Sequence, residues 1–174
     1  MVWNASDFFR LLTENNRLAQ SKEFVFCDIS GLEGLEEALQ HQQANNFVGV
    51  SDISEGYMDL NNTPKTRFVK TVFLAMKYPV DDLRARTACM DVMRELFRQF
   101  MSVLIREKVR LENDFIYIDD RISFNEIDRY FFNGAACAYF NIALSKFTDL
   151  RLRREEWLPP SVRVFTDEFG FQFS

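Results

Sequence analysis

Residues 66–79, TRFVKTVFLAMKYP, lead through Val80 into residues 81–110, DDLRARTACMDVMRELFRQFMSVLIREKVR. In the first stretch Phe68, Val72, Leu74 and Met76 alternate with Val69, Thr71, Phe73 and Ala75, the period of two that marks a strand. Both faces are apolar, so the strand belongs in the middle of a sheet, one side under a helix and the other under a second layer or a neighbouring subunit. Pro79 ends it. Asp81 and Asp82 then place negative charge at the positive end of a helix. Cys89, Met93, Leu96, Phe97, Phe100, Met101, Leu104 and Leu111 recur at helical spacing as one apolar stripe. Roughly thirty residues at about 1.5 Å each give a helix about 45 Å long, enough to cross a four-stranded sheet. Its other face carries Arg84, Arg86, Arg94, Arg98, Arg106, Lys108 and Arg110. That run reads as a solvated face, or alternatively as an electropositive strip facing an acidic subunit or phosphates.

After the helix, DFIYID (114–119) and RISFNEI (121–127) read as strands, with Asp119 and Asp120 as a hairpin turn between them. An apolar run from Tyr130 to Leu144 follows, divided by a turn at Asn133-Gly134. Gly134, Ala136 and Ala138 share a face with Phe140, Ile142 and Leu144, and the small residues let a helix or another chain approach closely. Upstream, the sequence predicts a helix from Asp7 to Ala19 capped by Ser6, a strand from Glu23 to Ile29, a short helix from Leu32 to Gln43 and a strand from Phe47 to Ile53. Gly49 in that last strand marks a bulge or a close backbone approach. The fold class is therefore α+β: a small, mainly antiparallel sheet with one long helix packed across one face, plus short N-terminal helices.

Two segments stand outside this frame. SEGYMDLNNTPK (54–65) carries the strongest loop signal in the chain and is long enough to protrude as an arm or hairpin tip. Lys146 to Glu156 reads as charged and short-helical, and Pro159-Pro160 breaks the chain. The tail SVRVFTDEFGFQFS (161–174) carries Val164, Phe165, Phe169, Phe171 and Phe173, which are unfavourable to leave in water, so it is expected to dock on a sheet edge of its own or another copy. Residues 1–158 make a single domain and residues 159–174 an apolar arm.

A chain of 174 residues buries roughly two thirds of its unfolded surface, enough for a core without disulfide staples. Its 47% apolar content with four Pro and six Gly is that of a folded protein. Nineteen Phe are more than one small core needs, which points either to a Phe-rich core or to aromatic subunit contacts. A net charge of −5 argues against a general nucleic-acid binder. Cys27, Cys89 and Cys137 are odd in number and set among apolar neighbours, as buried thiols in a reducing compartment are. The N-terminus lacks the pattern of a signal peptide, and no apolar run is long enough to span a membrane, so a soluble, cytosolic protein is expected.

Chemistry is sparsely signalled. His41 is the only histidine and sits among glutamines, which removes triads needing more than one histidine and most zinc sites. Gly31-Leu-Glu-Gly34 lacks the lysine and the spacing of a phosphate loop. Asp114, Asp119, Asp120, Glu126 and Asp128 crowd one stretch, as magnesium ligands or acid–base pairs do, but turn and strand-edge charges read the same way. Cys137 has no base nearby in sequence. No catalytic residue, metal or cofactor emerges, and no small-molecule substrate.

The opening KEFVFCDISGLEGLEEAL, the strand FVGV, and the strand TRFVKTVFLAMKYP leading into the helix DDLRARTACMDVMRELFRQF resemble, in order and character of elements, the tail terminator (tail completion) proteins of long-tailed bacteriophages and prophage elements. The resemblance spans roughly Asp7 to Leu144. It implies a non-enzymatic virion protein whose copies form a ring, usually a hexamer, that ends tail-tube polymerisation and joins tail to head. Its partners would be itself, tail-tube and head–tail connector proteins, in the bacterial cytoplasm during assembly and then in the virion. Read from the residues, the contact candidates are Tyr57, Met58 and Leu60 in the loop, Arg94 and Arg98 on the basic helix face, and Val164, Phe165, Phe169 and Phe171 in the arm. The alternative reading is a small-ligand-binding module or enzyme with a pocket between sheet and helix.

Overall fold

The computed structural model describes residues 3–30, 34, 45–52, 55–60, 63–79, 81–127, 134–151, 153 and 155. Apart from Gly34, the expected helix over 32–43 with His41, the turn residue Asn133, and the arm with Val164, Phe165, Phe169 and Phe171 lie outside the described residues.

The two-sided strand is central, as its pattern predicts. β4 (Lys65–Lys77) pairs along its whole length with the equally long β7 (Ala135–Phe147), antiparallel, from Lys65 opposite Phe147 to Lys77 opposite Ala135. Two shorter strands share the other edge of β4 end to end: β2 (Asn46–Ser51) pairs with its Val72–Met76 half, and β3 (Glu55–Asp59) with its Lys65–Val69 half. The far edge of β7 is likewise shared by β5 (Ile116–Ile118) and β6 (Phe124–Glu126). β1 (Phe24–Ile29) runs parallel to β2, the one parallel pair among the described residues in an otherwise antiparallel sheet of seven described strands.

The long helix α3 (Leu83–Glu112) is capped by Asp82, whose carboxylate accepts from the amides of Arg84 and Ala85, both at 2.9 Å. Its buried stripe is Met90, Met93, Leu96, Phe100, Leu104 and Leu111. These pack on the even-numbered face of the sheet: Val48 and Val50, Val72, Leu74 and Met76, and Ala136, Ala138, Phe140 and Ile142. The small pair Ala136 and Ala138 lies on this helix-covered face. α1 (Ala5–Asn15) completes the layer with Phe9, fully buried and 5.6 Å from Phe140 and 5.9 Å from Phe100 between ring centroids.

Several expectations are corrected. The first helix is capped by Asn4, not Ser6: the Asn4 side chain accepts from the Ser6 amide at 2.9 Å. It breaks at Asn16, which adopts extended backbone and caps a second, five-residue helix, α2 (Arg17–Ser21). Gly49 forms no bulge. The ladder is continuous, and a Cβ there would lie 2.9 Å from Cδ1 of Ile29, which fills the space instead. Asp119-Asp120 is not a hairpin turn, because β5 and β6 pair with β7 and not with each other. Lys146 and Phe147 belong to β7 rather than to a helix.

The second face of the sheet is also buried over its near half. Phe47, Phe73, Ala75, Ala135 and Cys137 form a separate apolar cluster there with Cys27 and Ile29. Between Val72 and Met76, then, β4 is enclosed on both sides within one chain and needs no neighbouring subunit. All three cysteines are free. Desolvation by burial pushes the thiol of Cys137 up to about 12 and, helped by the charge of Asp28, that of Cys27 up to about 11. A raised folded-state value means the folded chain holds these protons while the unfolded chain releases them. The thiols' contribution to stability is therefore intact below about pH 9 and is lost as pH rises towards 11–12. The urea midpoint is expected to fall between pH 9 and pH 11, and Cys137→Ala to flatten that fall; equal slopes for both chains would contradict the burial of the thiol.

Candidate interaction surface

The helical layer stops short of one end of the sheet, and that end holds the exposed groups. It is built from β3, the Lys65–Thr71 half of β4, the end of β7, and β5. β3 is exposed at all five residues, and among the described residues no strand pairs with its outer edge. The stretch expected as a loop is thus partly a strand, held to β4 by register pairs from Glu55–Val69 to Asp59–Lys65. Lys70 anchors its start by donating from Nζ to the carbonyls of Ser51 (3.0 Å) and Asp52 (2.6 Å). Gly56 makes the close approach possible, since a Cβ there would lie 2.3 Å from the carbonyl oxygen of Arg67. Tyr57, Met58 and Leu60 all stand exposed here, Leu60 by 76%.

On the second face of this end, one ladder row runs Tyr57, Arg67, Ser145, Tyr117 across β3, β4, β7 and β5. The Arg67 guanidinium stacks 5.8 Å from the Tyr57 ring centroid and donates from Nη2 to Asp119, a hydrogen bond that raises the Arg67 pKa. Beside it, Phe147 lies 6.1 Å from Tyr117 and 6.4 Å from Phe115, with the Lys65 ammonium 4.9 Å from its ring. These aromatics went unnoticed in the sequence because they sit in or next to strands whose signal is that of core strands. Phe115 also holds φ 58°, a left-handed backbone that bulky residues avoid.

Four of the seven cations of the basic helix face are paired from within the chain. Arg94 makes a two-point contact with Glu126 (2.6 and 2.9 Å) and a third bond to Asp91 (2.7 Å). Arg98 grips Glu95 (2.6 and 2.8 Å). The hydrogen bonds from Arg98 and Gln99 hold the Glu95 carboxyl down at about 2. Arg110 pairs with Glu107 and Asp114, and Lys108 with Asp120 and Glu112. Exposed pairs of this kind, screened by water, add little to stability. Their consequence is electrostatic: Arg94, Arg98, Lys108 and Arg110 offer little uncompensated charge to a phosphate or an acidic partner, whereas Arg84, Arg86 and Arg106 make no ion pair among the described residues.

Three clefts border the helical layer among the described residues, two of them flanked by the sheet. One, about 360 Å³, lies between α3 and the β5–β6 connection, walled by Phe97, Met101, Leu104, Ile105, Ile118 and Ile122. Its charged rim groups Lys108, Asp119 and Asp120 are engaged in ion pairs. The other, about 410 Å³, lies between Trp3 and the open end of the sheet at Phe68, Ile116 and Leu144. There Lys70 is tied to backbone carbonyls, and Lys146 sits 5.7 Å from the Phe68 ring. Neither of these presents the converging free polar groups that orient a small ligand; the third and largest, about 700 Å³ between α1 and the end of α3, has its Arg110 paired with Glu107 and Asp114. Among the described residues no group of three or more His, Cys, Asp or Glu side chains is placed to hold a metal ion, and no helix is long and apolar enough to cross a membrane. No protein-family model matches the chain, and no curated protein matches it.

Proposed function

We propose that this chain is a structural, non-enzymatic assembly subunit of the tail-terminator type, whose copies join into a ring through the open end of the sheet. The observation that carries the reading is β3. It is a strand exposed at every residue, with no strand paired to its outer edge among the described residues and three large side chains, Tyr57, Met58 and Leu60, left in water. A free edge flanked by apolar side chains is a template for another chain. Rings close through heterologous contacts, so in this proposal a different patch of the next copy meets β3.

Of the arm residues, Val164 and Phe165 belong to the same proposal; Phe169 and Phe171 do so only where the arm leaves its own chain. Arg94 and Arg98, already held by acidic neighbours, shape the surface more than they drive the contact. The proposed partners are further copies of the chain, tail-tube protein and head–tail connector protein, met in the bacterial cytoplasm and retained in the virion. The test is mass in solution up to the solubility limit, followed by imaging of the particles and by addition to polymerising tail-tube protein. Closed rings that shorten the tubes are expected. A chain that stays monomeric at every concentration and leaves tube length unchanged would sink the proposal.

A further inference from the structure

We infer that the aromatic platform of Phe115, Tyr117 and Phe147 is the seat of the chain's own C-terminal segment, residues 161–174. Phe115 is 64% exposed, Phe147 45% and Tyr117 37%; the Phe147 ring lies against both of the others, and Phe115 stands where the sheet end meets the cleft between α1 and α3. Three adjacent aromatic rings left in water are unusual for a surface with no partner. Phe115, moreover, is held outward by a backbone conformation unfavourable to bulky residues, and such a position is kept where something is gained from it.

The occupant follows from where the chain goes next. Phe147 ends β7, and the thirteen residues 148–160 separate it from the segment. At up to about 3.3 Å per residue they allow a return to the platform with length to spare. Within the segment, Phe169, Phe171 and Phe173 recur at every second position. An extended chain would carry them on one side, roughly 6.5–7 Å apart, close to the 6.1 and 6.4 Å between the platform's own rings. Asp167 and Glu168 precede these rings, and the platform is bordered by the exposed Lys65 ammonium, so charge matches as well as shape. The seat is a face of β5 and β7 rather than the edge of β3. The inference therefore stands whether or not the copies form a ring.

Hydrogen exchange on the full chain tests it. Amides of residues 162–173 are expected to exchange about tenfold or more slowly than in Phe115→Ser/Phe147→Ser, at a rate independent of protein concentration. Exchange at β4 and β7 in that variant should match the parent, showing that the fold is intact. The reciprocal variant Phe169→Ser/Phe171→Ser, altered only in the segment, should speed exchange at Ile116–Ile118. A segment that exchanges as an unprotected peptide in the parent, or protection that survives both variants, overturns the inference. Protection that grows with concentration overturns it in favour of the segment of a second copy. Mass measured on the same samples separates the two proposals: rings without protection remove this seat alone, and protected monomers remove the ring alone.

Discussion

Truncating Phe140 to alanine is expected to destabilise the chain by about 3–5 kcal/mol, the upper range for a buried aromatic. The ring is fully buried, 5.0 Å from Phe97 on α3 and 5.6 Å from Phe9 on α1. Its backbone is paired on both sides, with Val72 of β4 and with Phe124 of β6. The side chain thus joins both helices to the centre of the sheet, and a void there is walled by elements that cannot move independently. Phe68→Ala is the control: its ring is 40% exposed at the open end, where a substitution should change stability by no more than about 0.5–1 kcal/mol. Urea unfolding of the two variants checks both figures. A Phe140→Ala loss as small as that of Phe68→Ala would mean that the layers close over the void and that the aromatic junction does not organise the core.

The elements that could be read from the sequence are those with a buried face and enough length to show it. β4 displays its period of two over thirteen residues and α3 its helical stripe over thirty, so both stand within two residues of expectation. β3 could not be read. Glu55, Gly56, Tyr57, Met58 and Asp59 are all exposed, so no face alternates, and the strand exists only because β4 supplies a partner. β5 and β6 were legible as strands but not as neighbours, because three residues each carry no pairing information and the length of β7 decides that both fit along one edge. The candidate surface divides in the same way. Tyr57, Met58 and Leu60 were legible as large side chains in a polar segment. Phe115, Tyr117 and Phe147 were not, since a ring in a strand reads as core until the extent of the covering helices is known. The i,i+3 pairs of Arg94 with Asp91 and Arg98 with Glu95 are visible in the sequence, whereas Glu126 reaches Arg94 only through the fold.

Gly56→Ala is expected to release β3 while leaving the rest of the fold in place. The added Cβ would stand 2.3 Å from the carbonyl oxygen of Arg67 and 3.3 Å from its carbonyl carbon, and both atoms belong to the backbone of β4. That backbone cannot yield, because Arg67 and Phe68 are paired on their other side with Ser145 and Leu144 of β7. The strand that can move is β3, which buries none of its five residues and so has little apolar contact to hold it against the clash. Hydrogen exchange should show residues 55–59 losing protection with β4 and β7 unchanged, and the urea midpoint should shift far less than in Phe140→Ala. If copies of the chain meet through β3, the same substitution abolishes the ring. Tyr57→Ser/Met58→Ser, which keeps the strand and removes its side chains, should weaken the ring without unpairing β3. Rings that persist in Gly56→Ala after β3 has come away would place the contact elsewhere on the molecule, because no pairing along that edge could then hold the copies together.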